Sequence, residues 1–218
     1  MTPRLAVVLS HPIPNFAAWH RSVAQGGEID LRVFFCCDWG AAEYVDPQFG
    51  RAVRWDVPLL DGYPHEMLPI ARRPTRLGFR EVDNPAVGAA LGRFAPDALQ
   101  LFGYAHRTNW RAAAWARRRR VPVLLYSDSN AREDRTGWRG LAKRAVVGRF
   151  YARVDAALAV GENNVAYHRR YGLPAERIFP GVLPVELARL RGTVPDGAAA
   201  RLTVRARHGI PPDALIAV

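Results

Sequence analysis

The stretch VDAALAVGENNVAYHRRYGLPAERIFPGVLPVE, residues 154–186, decides the fold. Residues 155–160 are a short apolar run of the kind that makes a buried parallel strand. Gly161, followed by Glu162 and Asn163, opens a helix with acidic and capping residues in its first turn. The strand therefore ends at a helix N-terminus. Asn164, Tyr167 and Tyr171 fall at helical spacing, Gly172 supplies a left-handed C-cap, Pro174 forbids continuation, and residues 177–179 return to an extended segment. Strand, helix and strand in so short a span form one unit of a parallel α/β sheet.

Toward the N-terminus the same alternation continues. Residues 5–9 read as a first strand, Asn15 as an N-cap, Phe16, Trp19 and Val23 as one helix face closed by Gly26 and Gly27, and residues 31–36 as a second strand. The intervening loop, Ser10-His11-Pro12-Ile13-Pro14, lies where a doubly wound sheet gathers its ligands, at the carboxyl ends of the strands. It holds no G-x-G-x-x-G, so a dinucleotide-binding reading loses its main support. Residues 38–62 form a long connection whose Trp39, Tyr44, Phe49 and Trp55 suit either stacking on sugar rings or pinning the loop to the body.

Residues 66–70 read as a third, edge-like strand, and Asn84-Pro85 as a helix start with cap and proline in their preferred places, Val87, Leu91 and Phe94 facing inward. Residues 97–102 are a fourth strand ending in Gly103-Tyr104-Ala105-His106-Arg107. A helix from about Thr108 then runs into the run Arg117, Arg118, Arg119 and Arg120, a cationic end that complements the helix dipole. Residues 121–126, a fifth strand, deliver Ser127, Asp128, Ser129 and Asn130 to the same edge, the most polar strand exit in the chain. On a helix over residues 137–153, Arg139, Lys143, Arg149 and Arg153 share an arc of roughly 120° with Val146 and Phe150. Such a mixed basic and apolar face suits solvent or an anionic membrane surface. Residues 199–208 read as another helix and residues 214–218 as the beginning of an apolar strand.

Length and composition bound the rest. A chain of 218 residues suits one large domain. No apolar run approaches the roughly 20 residues of a membrane span, and residues 5–9 are too short for a signal sequence. Cys36 and Cys37 are adjacent, a spacing that disfavours a bridge, and together with the missing signal this reads as a cytoplasmic protein in a reducing compartment. The formal charge of +11 is concentrated in residues 105–153, which carry thirteen Arg or Lys against three acids. A field so placed attracts an anion: a sugar nucleotide, a lipid phosphate, a membrane or nucleic acid. No His, Cys or carboxylate spacing fits a metal site, and no zinc, helix-turn-helix or aromatic-sheet motif supports nucleic acid as a partner.

The 154–186 stretch, with LAVVLSHPIP (5–14), LRVFF (31–35) and the 46–63 loop, resembles the N-terminal domain of family-4 glycosyltransferases of the GT-B fold. There, a strand, V-S/G, a helix, Y-G-(L/V)-P, x-E-(R/K)-I, a short strand and P-x-G-V-x-x-E lead toward the second domain. The resemblance implies a Rossmann-like, doubly wound, mostly parallel sheet over residues 1–190. Residues 191–218 would then be a linker and first elements leading to a C-terminal donor-binding domain, or a partner chain, not present here. It implies a retaining transferase, acting in cell-surface polysaccharide synthesis, that moves a sugar from a nucleotide-sugar co-substrate to a glycan or lipid-linked acceptor, with no further cofactor. The mixed basic and apolar face over residues 137–153 adds an expected place at the inner face of the membrane. Many family members carry a Gly-Gly pair in the first loop; prolines stand here instead. Where many carry a His or an R-x-(E/D)-S pattern beside the transferred sugar, Asp128 occupies the place, to orient an acceptor hydroxyl or accept its proton. Ser10, His11, Tyr104, His106, Ser127, Ser129, Asn130, Gly161, Glu162 and Asn163 are the candidate substrate-binding residues. A non-catalytic acceptor- or partner-binding domain is the alternative reading, ahead of a nucleic-acid-binding one.

Overall fold

The first strand, β1 (Arg4–Leu9), is covered on both faces: Ala6 and Val8 join one buried cluster, Val7 and Leu9 another. A strand with no polar face demands a layer of helices on each side, which is why this chain builds a three-layer sheet. The computed structural model describes residues 1–216 except 42, 43, 47–49, 54, 131–136 and 195. After β1 come α1 (Pro14–Gly26), β2 (Asp30–Phe35), the short strands β3 (Tyr44–Asp46) and β4 (Arg51–Val53), β5 (His65–Met67), α2 (Val87–Phe94) and β6 (Ala98–Phe102). There follow α3 (Arg107–Arg119), β7 (Val123–Ser127), α4 (Gly137–Tyr151), β8 (Ala156–Ala159), α5 (Glu162–Arg170), a 3-10 turn (Ala175–Arg177) and β9 (Ile178–Pro180).

Seven strands pair in parallel in the order β5-β2-β1-β6-β7-β8-β9, the doubly wound arrangement expected. The antiparallel strands β3 and β4 pair apart from it, inside what the sequence reads as one long connection. One face of the sheet is packed by α2, α3, α4 and α5 through Leu91, Phe94, Ala113, Phe150 and Tyr167, and the other by α1 through Phe16 and Ala17.

Three local expectations are corrected. Asn15 is not an N-cap: Pro14, whose ring presets the helical φ, takes the first turn, and Ile13 caps. Asn84 does not cap α2, which begins after Ala86. Its buried side chain instead donates to the carbonyls of Cys36 (2.9 Å) and Pro69 (3.0 Å) and accepts from Thr108 Oγ1 (2.8 Å). It thereby clasps the carboxyl ends of β2 and β5 to the start of α3. The arc assigned to α4 is also split, since Phe150 is fully buried whereas Val146 is half exposed; the side chain of Arg139 lies outside the described residues.

This sheet and its helices form one compact unit, Met1–Pro184; Val185–Val218 form a second. In the second, Asp196 caps α7 (Gly197–Arg207), which follows α6 (Leu187–Thr193), by accepting from Ala199 N at 2.9 Å. The guanidinium of the buried Arg205 donates to the carbonyls of Pro211 and Ala214 and closes the turn after α7. Residues 214–216 are not in a strand, contrary to expectation, and 217–218 lie outside the described residues.

Candidate functional site

Because β1 and β6 are neighbours while the chain winds outward on either side of them, the strand order reverses between these two, and a crevice opens at their carboxyl ends. A cleft of about 580 Å³ lies there. Ser10 enters from the end of β1, Gly103 and His106 from β6, Ser127 and Asp128 from β7, and Val160 from β8. Its apolar side is a set of crossed rings: Phe16 meets Phe102 at 4.6 Å and Tyr126 at 5.2 Å, edge to face in both cases. Leu183 contributes from the segment after β9.

The two histidines of the polar side are held in neutral form. Ser10 Oγ lies 2.9 Å from His11 Nδ1. Burial, helped by nearby His106, drives His11 down to about 4, and burial lowers His106 as well, partly offset by the Gly78 carbonyl that faces its ring. Both rings are therefore uncharged at neutral pH. Among the described residues, His106 Nδ1 and Ser127 Oγ are buried without a hydrogen-bond partner of good geometry, although the Tyr151 hydroxyl lies close to Ser127. Both residues line the cleft, so hydrogen-bonding capacity is left at its wall. Asp128 is exposed at the rim; together with burial it raises the Tyr126 hydroxyl, which donates to the Val182 carbonyl at 3.2 Å.

A buried relay fixes the loop after β7. Asn164 Nδ2 donates to the Ser129 carbonyl at 2.5 Å, and its Oδ1 accepts from Val160 N and from His168 Nε2, each at 3.2 Å. With Nε2 committed as a donor, His168 Nδ1 accepts from the Tyr151 hydroxyl at 3.0 Å. Burial holds this ring at about 4, so the neutral tautomer the relay needs persists at neutral pH. α4, α5, the end of β8 and the Ser129 loop are thus joined by side chains of one network.

Ser10, His106, Ser127 and Asp128 come together in the cleft; His11 packs against Ser10 and, at 6.1 Å, against Trp39; Ser129 is tied through its backbone and half-buried Asn130 follows it. Tyr104 turns into the core, where its hydroxyl bonds Tyr167, and Gly161, Glu162 and Asn163 are exposed at the start of α5. Gly161 has φ 155° and ψ 172°, a conformation nearly confined to glycine, so its part is to turn the chain from β8 into α5. Of the loop aromatics, Trp55 is 42% exposed, while the side chains of Tyr44 and Phe49 lie outside the described residues. Asn164 and His168 were missed as site-building residues. Their i, i+4 spacing on a helix start beside the most polar strand exit is the signal that marks them.

Residues 17–180 match the model of the glycosyl transferase 4-like domain. The chain belongs to that family. Solved structures share the fold of this glycosyl transferase 4-like domain at low identity. The Anabaena Alr3699/HepE complex with UDP and glucose superposes with a TM-score of 0.58 at 11% identity, over 95% of this chain and 50% of that one. UDP-GlcNAc 2-epimerase from Neisseria meningitidis, bound to UDP-GlcNAc, gives 0.57 at 13% identity over 96% and 55%. The Rickettsia bellii UDP-N-acetylglucosamine 2-epimerase gives 0.54 at 13% identity over 97% and 52%. The chain thus spans about half the length of these structures. No curated protein matches it in sequence. Among the described residues no three metal-ligating side chains cluster, and no helix is long and apolar enough to cross a membrane.

Proposed function

We propose that this domain is the acceptor-side half of a retaining glycosyltransferase that moves a sugar from a nucleotide-sugar donor to a hydroxyl of a glycan or lipid-linked acceptor. The observation that carries the reading is the switch-point cleft, where a ring-lined side faces Ser10, neutral His106, Ser127 and Asp128. That combination suits a sugar or polyprenol-like body beside a reacting hydroxyl. The acceptor oxygen bonds to the anomeric carbon as the bond to the nucleoside diphosphate breaks; Asp128 orients the hydroxyl and takes its proton, and His106 Nδ1 accepts a second hydrogen bond. A second domain or a partner chain supplies most of the donor site, in keeping with a match to half the length of proteins solved with UDP or UDP-GlcNAc.

Work at the cytoplasmic face of a membrane, in making cell-surface polysaccharide, completes the reading. The outer face of α4 presents Trp138 (74% exposed) and Leu141 (70% exposed) beside exposed Arg144 and Arg149, a composition that suits an anionic bilayer surface. Transfer of labelled sugar from nucleotide sugars into a lipid extract, using protein expressed from its full reading frame, is the test. Asp128→Asn and His106→Ala should each lower turnover, Asp128→Asn by about 10²-fold or more. Turnover unchanged in both removes the assigned roles.

A further inference from the structure

A second cavity, of about 550 Å³, lies past the carboxyl end of β5, lined by Arg72, Arg73, Arg80, Glu81 and Asp83. Asp83 is engaged through both carboxylate oxygens, whereas Glu81 is held through Oε1 and its Oε2 is buried without a hydrogen-bond partner among the described residues. Asp83 receives Arg111 Nε at 2.5 Å and Nη2 at 3.1 Å and pairs with Arg107 at 3.2 Å; Glu81 is held by Arg76 at 2.5 Å. Arg73 reaches Asp38 at 3.2 Å. Around this loop, six arginines therefore face three acids, counting Arg72, Arg73, Arg76, Arg80, Arg107 and Arg111 against Asp38, Glu81 and Asp83. Arg72 and Arg80 are exposed and, among the described residues, have neither an ion pair nor a hydrogen bond.

We propose that this cavity takes a phosphate group of the acceptor, so that the transferase acts on a phosphorylated acceptor. This rests on the glycosyltransferase reading above. Two uncommitted guanidinium forks beside one cavity match the bidentate geometry of a phosphate, and six arginines against three acids leave the surroundings net positive. The start of α2, which has no side-chain cap and begins two residues after the lining residue Pro85, adds the positive end of its dipole. The loop residues just before Arg80 also touch residues at the wall of the main cleft. Arg107 N donates to the Phe79 carbonyl at 3.0 Å, and the Gly78 carbonyl faces His106, the histidine that walls the cleft. An acceptor with its hydroxyl at Asp128 and His106 can extend along residues 78–80 and place its phosphate at Arg72 and Arg80.

Titration of protein expressed from its full reading frame with inorganic pyrophosphate, glycerol phosphate and UDP, followed through the arginine Nε–H signals in NMR, tests this. Pyrophosphate and glycerol phosphate should shift the Arg72 and Arg80 signals. The double variant Arg72→Gln/Arg80→Gln should bind them on the order of tenfold more weakly, Arg118→Gln should not, and UDP binding should be unchanged. Equal phosphate affinity in the double variant and in Arg118→Gln overturns the site. Loss of UDP binding in the double variant assigns the cavity to the donor diphosphate and overturns the acceptor assignment. The binding readout needs no turnover, so failure of the transferase reading, seen as no sugar transfer by any form, is distinguishable from failure of the phosphate site. In an active protein, the double variant should lose transfer to phosphorylated acceptors and keep transfer to unphosphorylated ones. Equal loss with both refutes the acceptor assignment.

Discussion

His20 is 1% exposed on α1, its ring 5.2 Å from Tyr63 and 5.6 Å from Trp19, and among the described residues neither ring nitrogen has a hydrogen-bond partner. Burial drives it from an ordinary 6.5 down to about 3. The unfolded chain therefore binds a proton that the folded chain refuses, and stability is complete above about pH 6.5 and falls as the pH drops from there toward 3. At pH 5 the unfolded imidazole is already charged, and one and a half pH units at 1.36 kcal/mol each give a loss of about 2 kcal/mol from this residue. His168, fully buried, and His11, packed against Ser10 and Trp39, are both held at about 4 and each lose a similar amount, so the three together remove about 6 kcal/mol from a total that for domains of this kind is roughly 5–15 kcal/mol. His20→Leu, close in volume, should remove about a third of that acid sensitivity. At pH 7 it should be at least as stable as the unchanged chain, because a buried group without partners is replaced by an apolar one. Urea unfolding at pH 7 and pH 5, at fixed ionic strength and read by tryptophan fluorescence, measures both. An equal drop between the two pH values in wild type and variant would refute the reasoning.

Other substitutions test the scaffold. Asn84→Ala leaves the carbonyls of Cys36 and Pro69 without their donor and should cost about 2–4 kcal/mol in urea unfolding. Ala95, at φ 50° just after α2, adopts a left-handed conformation that suits glycine, so Ala95→Gly should stabilise by about 0.5–1 kcal/mol, seen as a higher denaturation midpoint with an unchanged slope. Cys36 and Cys37 are 0% and 3% exposed, and burial pushes the Cys36 thiol up to about 12. Neither should react with a thiol reagent in the native protein, and both should react in denaturant; rapid native labelling would contradict their placement.

Much of the architecture is legible along the chain, because burying both faces of a parallel strand leaves a continuous apolar run, as in residues 5–9 and 121–126. The runs at 155–160 and 97–102 become β8 and β6 for the same reason, and Gly172, at φ 96°, follows α5 in the left-handed conformation expected of it. Asn84 shows where such reasoning stops. Its neighbour Pro85 imitates a helix start, but the carbonyls of β2 and β5 and the hydroxyl of Thr108 outbid the local cap. The short pair β3 and β4 escaped because three-residue strands carry too little periodicity to register.

The candidate site divides in the same way. Composition and order within the chain determine the strand exits, and so bring Ser10, His106, Ser127 and Asp128 to one edge, because parallel strands share a direction and the chain reverses its winding between β1 and β6. Which way each side chain turns is a matter of three-dimensional packing. Tyr104 goes inward to Tyr167, Asn164 reaches the Ser129 carbonyl, and Arg72 and Arg80 stay uncommitted while their neighbour Arg73 finds an acid. Those outcomes depend on partners brought close by the fold from elsewhere in the chain, as Asp38 is to Arg73, and no local pattern of residues encodes such a meeting.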